Sequence, residues 1–233
     1  MQRINSLTGV RAPMFAAWLQ RYSPEFASVN SMKKEEYVKY ITSHSDPLVL
    51  FPRHPLLEAL THTPFYVPPL YWAAAIALGH AFLAPLSCYL VVCGFLLWYP
   101  LEYELHRFLF HAEGRIPNLF HFIVHGLHHR APKDAGRLMF PPLASTALGL
   151  PIFGALLLVF EVPTAWSLMA GLIIGYQNYE LLHYAVHHHP GWPIVRKLAN
   201  HHNLHHYSTA PCNYGVSHAF FDVLFGTNKA AVR

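Results

Sequence analysis

The sequence predicts an all-α integral membrane protein with four transmembrane helices in two hairpins, on three observations. Hydrophobic residues fill 53% of the 233 positions and charged residues only 12%, about half the usual quarter. That balance excludes a disordered chain, which needs low hydrophobicity and high net charge, and it leaves too few charges to coat a soluble globule. Charged residues are also unevenly placed: between Glu58 and Glu102 there is no Asp, Glu, Lys or Arg, and a second apolar block from Leu138 to Tyr179 is interrupted only by Glu161 and Pro163. Finally, nineteen histidines outnumber sixteen Lys plus Arg, and fifteen of them fall between His106 and His218. Histidine in that excess points to bound metal.

Residues 1–60 mix polar and apolar positions, with clusters such as Lys33-Lys34-Glu35-Glu36, and read as a cytosolic or interfacial helical segment. No long apolar core separates Arg3 from Arg11, so no cleavable signal peptide is expected at Met1. Residues 61–233 read as a membrane-embedded domain. A bilayer core of ~30 Å takes roughly 20 helical residues, so the first uncharged stretch is two spans, Phe65–Gly79 and Pro85–Leu101, with the turn at His80–Ala84. The second block forms another hairpin, Leu143–Phe160 out and Ala165–Leu182 back. Pro68, Pro69, Pro85 and Pro151 sit inside or at the edges of these spans, which membrane helices tolerate better than soluble ones. Seven Lys/Arg precede the first span, five lie between Arg107 and Arg137, and four follow the last span, so neither hairpin turn holds one. The positive-inside rule then puts both termini and the central loop in the cytoplasm. Cys88 and Cys93 lie in an apolar run, and with Cys212 they form no disulfide framework or zinc-knuckle spacing.

The histidines fall into four groups. EYELHRFLFH carries His106 and His111, HGLHH carries His125, His128 and His129, HYAVHHH carries His183, His187, His188 and His189, and HHNLHHY carries His201, His202, His205 and His206. Spacings of three and four place imidazoles on one helical face, close enough to share a metal. His106 and His111 are five apart, roughly 140° round an α-helix, which requires different metals or a bend. An even number of crossings returns every group to the cytoplasmic face. Ten well-spaced imidazoles exceed the four to six ligands that saturate one first-row ion, so two ions are expected. Carboxylates on the outer ring nitrogens would offset their charge; Glu102, Glu104, Glu180 and Asp222 are the acidic residues near the groups. Imidazole suits iron, zinc, copper and nickel alike. Iron is the ion expected to activate O2 for attack on an aliphatic C–H bond, and zinc would fill the same shape without redox activity. No Ser-His-Asp arrangement, P-loop or dinucleotide fingerprint occurs. HPGW at His189–Trp192 is not a haem site, because it lies between two ligand groups with no room for a haem domain.

These groups, together with RAPKDAGRLMFPP after HGLHH, the closing YGVSHAFFDVLFGT and the entry LTHTPFYVPPLYW, resemble the fatty acid 2-hydroxylases of the fatty acid hydroxylase/sterol desaturase superfamily. The resemblance spans Leu57 to Thr227. It implies a four-span fold topped by a cytosolic helical cap that holds a histidine-rich di-metal site. By motif match its ligands are His106, His111, His125, His128, His129, His183, His187, His202, His205 and His206, with His121, His188 and His201 behind them. The implied reaction inserts one oxygen atom at C2 of a long acyl chain, as free acid, thioester or ceramide amide, for sphingolipids. Many members carry a cytochrome b5 domain, whose haem motif is absent from these residues, so electrons are expected from a separate cytochrome b5-type or other electron-transfer protein. The address implied is the endoplasmic reticulum membrane of a eukaryote or the cytoplasmic membrane of a bacterium; nucleic acid is not an expected partner.

The histidine pattern alone also fits a sterol, carotenoid or alkyl-chain oxidase of the same superfamily; the stretch between His129 and Pro142 favours the 2-hydroxylases. A histidine-rich zinc transporter would carry ligands within its spans, where only His80 lies.

Overall fold

The structure, a computed structural model, describes residues 14–43, 48–208 and 210–230. Arg3, Arg11, His44 and Arg233 lie outside the described residues. The described chain is helical, with one isolated backbone bridge between Glu113 and Ile116.

Three short helices open it: α1 (Met14–Tyr22), α2 (Pro24–Ser31) and α3 (Lys34–Ile41). Ser23 caps α2, accepting the Phe26 N–H at 3.3 Å with Pro24 in the first turn. The Glu36 carboxylate reaches back to the Lys33 N–H at 3.0 Å to start α3. Leu19, Phe26, Val29, Tyr37 and Ile41 share one core with Leu50, Phe51, Leu119 and Phe122, so this segment packs onto the histidine-bearing part of the chain. The short α4 (Pro55–Leu60) follows.

Four long helices carry the apolar blocks: α5 (Val67–Phe82), α6 (Cys88–Glu104), α9 (Pro142–Leu157) and α10 (Val162–His188). Pro68, Pro142 and Pro163 occupy first turns, where the missing N–H costs no helix hydrogen bond. The helices stand where the sequence places them, with two corrections. Among the described residues, none is long and apolar enough to cross a membrane: α5, α6 and α9 have 16, 17 and 16 residues, and the 27-residue α10 is broken in its apolar character by Gln177, Asn178 and Glu180. And α10 does not end near Leu182. It runs on to His188, because Tyr179–His188 is a good helical sequence with buried Tyr179, Glu180, His183 and Val186 on one side.

Helices α6 and α10 pack backbone to backbone. A Cβ on Gly94 would stand 2.1 Å from the Leu168 carbonyl, and one on Gly171 would stand 2.1 Å from the Val91 carbonyl. Only glycine permits that approach, the small-residue packing typical of helices in apolar surroundings. Beyond α6 come a π-helical turn, π1 (Leu105–Phe110), then α7 (Asn118–His121), a second π turn, π2 (Phe122–Gly126), and α8 (Leu127–Arg130). Helices α11 (Arg196–Tyr207) and α12 (Phe220–Leu224) close the chain. The C-terminal segment is tied to α6 by buried Glu102, whose carboxylate accepts the Val216 and Ser217 N–H groups at 2.9 Å each, the Ser217 hydroxyl at 2.6 Å and the Trp98 indole N–H at 3.1 Å.

Candidate metal centre

Ten imidazoles converge where π1, π2, α8, α10 and α11 meet. They form two sets. One comprises His106, His111, His125, His129 and His205; the other comprises His128, His183, His187, His202 and His206; within each set one nitrogen per ring lies within 4.8 Å of all the others. Eight of the ten are buried, and His111 and His187 are half-buried at the rim.

The division follows from helix geometry. Residues i and i+4 differ by about 40° round an α-helix and i and i+3 by about 60° the other way. His125 and His129 (i, i+4) accordingly enter the first set and His128 (i+3) the second. On α11 the roles exchange: His202 and His206 enter the second set and His205 the first. Each helix therefore straddles the two sets. His183 and His187 (i, i+4) both enter the second. The pair five apart is joined by π1: the His111 N–H bonds the His106 carbonyl at 3.1 Å, the i→i+5 pattern of a π turn, and the two rings lie 5.0 Å apart in a single set. No second metal is needed to separate them.

The donor set fits metal ions rather than a hydrogen-bond network. Burial, reinforced by neighbouring rings, pushes His106 down to about 3 and holds His125, His128, His129, His202, His205 and His206 well below the usual imidazole range, so these rings are neutral near pH 7. A neutral imidazole has one proton. His205 donates its proton from Nδ1 to the Cys212 carbonyl at 2.8 Å, and His106 donates from Nδ1 to the Tyr214 carbonyl. His111 directs Nδ1 to Glu113 at 2.9 Å. His205, with its proton on Nδ1, then turns a bare Nε2 toward His111 Nε2 2.9 Å away. In the second set His202 Nε2 lies 3.0 Å from the Nε2 atoms of His183, His187 and His206 at once, which one proton cannot bridge. A cation within each set converts these lone-pair contacts into coordination, and five nitrogens suit a first-row ion.

The outer groups are placed as follows. Asp222 accepts the Tyr214 and Gly215 N–H groups at 2.7 and 2.8 Å and meets His201 Nε2 at 3.0 Å, so it and His201 fix the peptide whose carbonyl holds His106. Glu180 accepts the Phe140 N–H at 2.9 Å, one turn before His183. Glu102 binds the C-terminal backbone, and Glu104 is exposed. His188 packs on Tyr184 with centroids 4.6 Å apart, outside both sets, and His121 approaches Glu113 and Tyr37. Sequence reasoning missed Glu113, the carboxylate that does meet an outer ring nitrogen. Burial raises its carboxyl, but the bonds from His111 and His121 outweigh that and hold it well below the usual range. Its signal was its place two residues beyond His111. The Tyr214 and Cys212 carbonyls leave no signal, because every residue has one.

A cavity of about 420 Å³ joins the centre to the apolar hairpins, running from Trp72, Ile152 and Met169 to His106, His125, His128 and His183. Its size is that of a small-ligand site and its walls are predominantly apolar.

An all-helical chain whose hairpins lead an apolar cavity to ten converging imidazoles defines a protein built round a histidine-rich metal-binding centre. The chain belongs to the fatty acid hydroxylase family, whose model matches residues 91–227. It is 35% identical over 179 residues to a dihydroceramide fatty acyl 2-hydroxylase of Arabidopsis thaliana, FAH2, covering 73% of this chain and 76% of that protein. It is 34% identical to the ceramide very long chain fatty acid hydroxylase SCS7 of Saccharomyces cerevisiae, covering 73% of this chain and 47% of that protein. With the fatty acid 2-hydroxylase of Rattus norvegicus it shares 30% identity, over 78% of this chain and 56% of the relative. The solved structure of full-length scs7p, with only the hydroxylase domain visible, superposes with a TM-score of 0.76 at 31% identity, over 88% of this chain and 83% of that one.

Proposed function

We propose that the chain is a membrane-bound di-iron oxygenase that hydroxylates C2 of a long-chain acyl group within, or destined for, ceramide. The observation that carries this reading is the cavity: apolar along the hairpins, it ends against imidazoles of both sets, so an acyl chain laid in it presents its head-group end to the centre. The names of the relatives, fatty acyl and fatty acid 2-hydroxylases, supply the position of attack.

Iron held by the two sets would supply activation of O2 for insertion into an unactivated C–H bond. His106, His111, His125, His129 and His205 would hold one ion and His128, His183, His187, His202 and His206 the other. Neutral imidazoles leave the ions' charge uncompensated within the set, while the cavity walls align the chain and keep water out. Each hydroxyl consumes one O2, two electrons and two protons and releases one water. The electrons come from a carrier outside these 233 residues, a cytochrome b5-type or other electron-transfer protein, since no haem motif lies within them.

The hairpins are read as the membrane anchor, with the centre on the cytosolic side. The 16–17 residues of α5, α6 and α9 reach about 24–26 Å, short of a ~30 Å core, and short spans are accommodated by local thinning and flanking residues. Exposed Leu78, Phe82, Val92, Leu96, Leu150 and Leu158 along them support a lipid environment.

The test is lipid mass spectrometry on cells with and without the chain, followed by purified protein supplied with a reducing partner and ¹⁸O₂. The label is expected at C2 of the acyl group, and only when the partner is present. A product hydroxylated elsewhere, or a desaturated one, overturns the assignment.

A further inference from the structure

Outside the ten imidazoles, one buried polar chain joins the N-terminal helices to the centre. Tyr37, on α3, is fully buried. Its hydroxyl bonds His121 Nδ1, and the two rings meet edge to face at 5.4 Å. On the far side of that ring, His121 Nε2 lies 3.4 Å from Glu113 Oε1. The same oxygen accepts the His111 Nδ1–H at 2.9 Å. One tautomer of His121 suits both neighbours: the N–H on Nε2 faces the carboxylate, and the lone pair on Nδ1 takes the Tyr37 O–H.

The surroundings are shaped round this chain. A Cβ on Gly126 would stand 2.5 Å from the Tyr37 hydroxyl and 3.1 Å from His121 Nδ1, so the glycine between His125 and His128 leaves the space in which that bond forms. Lys34, one turn before Tyr37, lays its stem against Gly114, where φ is +72° and a Cβ would stand 2.5 Å from Lys34 Cδ. Asn118 donates to the Met32 carbonyl at 3.0 Å. The loop bearing Glu113 is thus clamped from both ends by α3 and the residues leading into it.

We propose that Tyr37 is a positioning residue of the first histidine set: through His121 and Glu113 it fixes the tautomer and ring plane of His111, which makes the N-terminal helical segment part of the metal centre. The proposal rests on reading the two sets as metal positions. It differs from a purely structural role because its effect falls on one metal position and not the other.

The test uses the full chain in detergent, loaded with Co²⁺ as the spectroscopic probe, and competes the metal off with a graded chelator. Two equivalents are expected in the parent protein. In Y37F and in E113Q one equivalent should weaken about 10–100-fold, the usual effect of removing a group behind a ligating histidine, with a change in the Co²⁺ visible spectrum, while the other equivalent is held as before. Leu19→Ala, which loosens the core of the same segment, should lower thermal stability and leave both equivalents alike. Equal weakening of both equivalents in Y37F, in step with its loss of thermal stability, overturns the proposal, as does parent-like retention of both in Y37F and E113Q. If Y37F does not fold, E113Q and the hydroxyl-displacing Gly126→Ala decide between the same outcomes. A parent protein that binds no Co²⁺ or Fe²⁺ at all overturns the metal-centre reading instead.

Discussion

His106 and His111 face each other with ring centroids 5.0 Å apart although five residues separate them. The π turn between them, closed by the His111 N–H to the His106 carbonyl, adds one residue to the helical turn and brings the later ring back under the earlier one. Inserting one alanine after Phe108, a half-exposed residue of that turn, adds about 100° to the separation and swings His111 off the face it shares with His106. The expected outcome is loss of roughly one of two metal equivalents by elemental analysis, with far-ultraviolet circular dichroism unchanged. Retention of both equivalents would show that the π turn is not what seats His111.

Position, not abundance, decides which histidines matter. His125→Ala, His187→Ala and His202→Ala each remove a nitrogen from a five-membered set, and each should lower metal content and abolish turnover. His54, His62 and His218 lie outside both sets, so Gln at any of them should leave metal content intact. His121→Gln, His188→Gln and His201→Gln should fall between, because His121 lies against Glu113, His201 lies against Asp222, and His188 follows His187 but stands outside both sets. Metal analysis beside a turnover assay checks the ranking; equal metal loss across all nine would contradict it.

What was legible in the sequence was periodic. Spacings of three and four exposed His125, His128, His129, His183, His187, His202, His205 and His206 as groups, and the uncharged stretches exposed the four long helices. Three kinds of information were not legible. The split of His128 from His129 depends on where the partner helix lies, which spacing on one helix does not encode. Glu113 follows a π turn and a loop, so no helical period points to it. Tyr37 meets His121 across 84 positions, a contact that only the packing of α3 against the end of α7 creates. The length of α10 was underestimated, because the helix runs on past Leu182 to His188 where the apolar character has already ended.

Acid should destabilise the metal-free protein. Burial first, and neighbouring rings second, lower His106 to about 3 and move His125, His129 and His205 the same way. Below an unfolded value of ~6.5 the unfolded chain takes protons that the folded rings refuse, so stability is fully present above that pH and is lost as pH falls toward 3. Asp222, held below the ordinary carboxylate value by His201, Thr227 and two backbone N–H groups that outweigh its burial, adds a further loss at the acid end. Each refusing ring contributes up to ~1.4 kcal/mol per pH unit, so the denaturant midpoint should fall steadily from about pH 7.5 to about pH 5. A flat midpoint over that range would mean that the rings accept protons within the fold.

The hairpin turns should lie across the membrane from the histidines. At the turn end, a Cβ on Gly79 would stand 2.0 Å from the Trp166 ring, and the Ser87 N–H bonds Ser167 Oγ at 3.1 Å. The end of α5, the start of α6 and the start of α10 are therefore neighbours, which puts both turns at one end of the helical bundle. No Lys or Arg occurs at that end, whereas Arg107, Arg115, Arg130, Lys133, Arg137, Arg196 and Lys197 all follow or flank the histidine-bearing helices. Under the positive-inside rule the basic end stays cytoplasmic. In a background with Cys88, Cys93 and Cys212 replaced, Phe82→Cys and Val162→Cys, both at exposed positions, should react with an impermeant maleimide only from the side opposite the cytoplasm. Lys133→Cys should react only from the cytoplasmic side. Labelling of all three from the cytoplasm would mean that the hairpins enter one leaflet without crossing, and that the cavity receives its acyl chain from that leaflet alone.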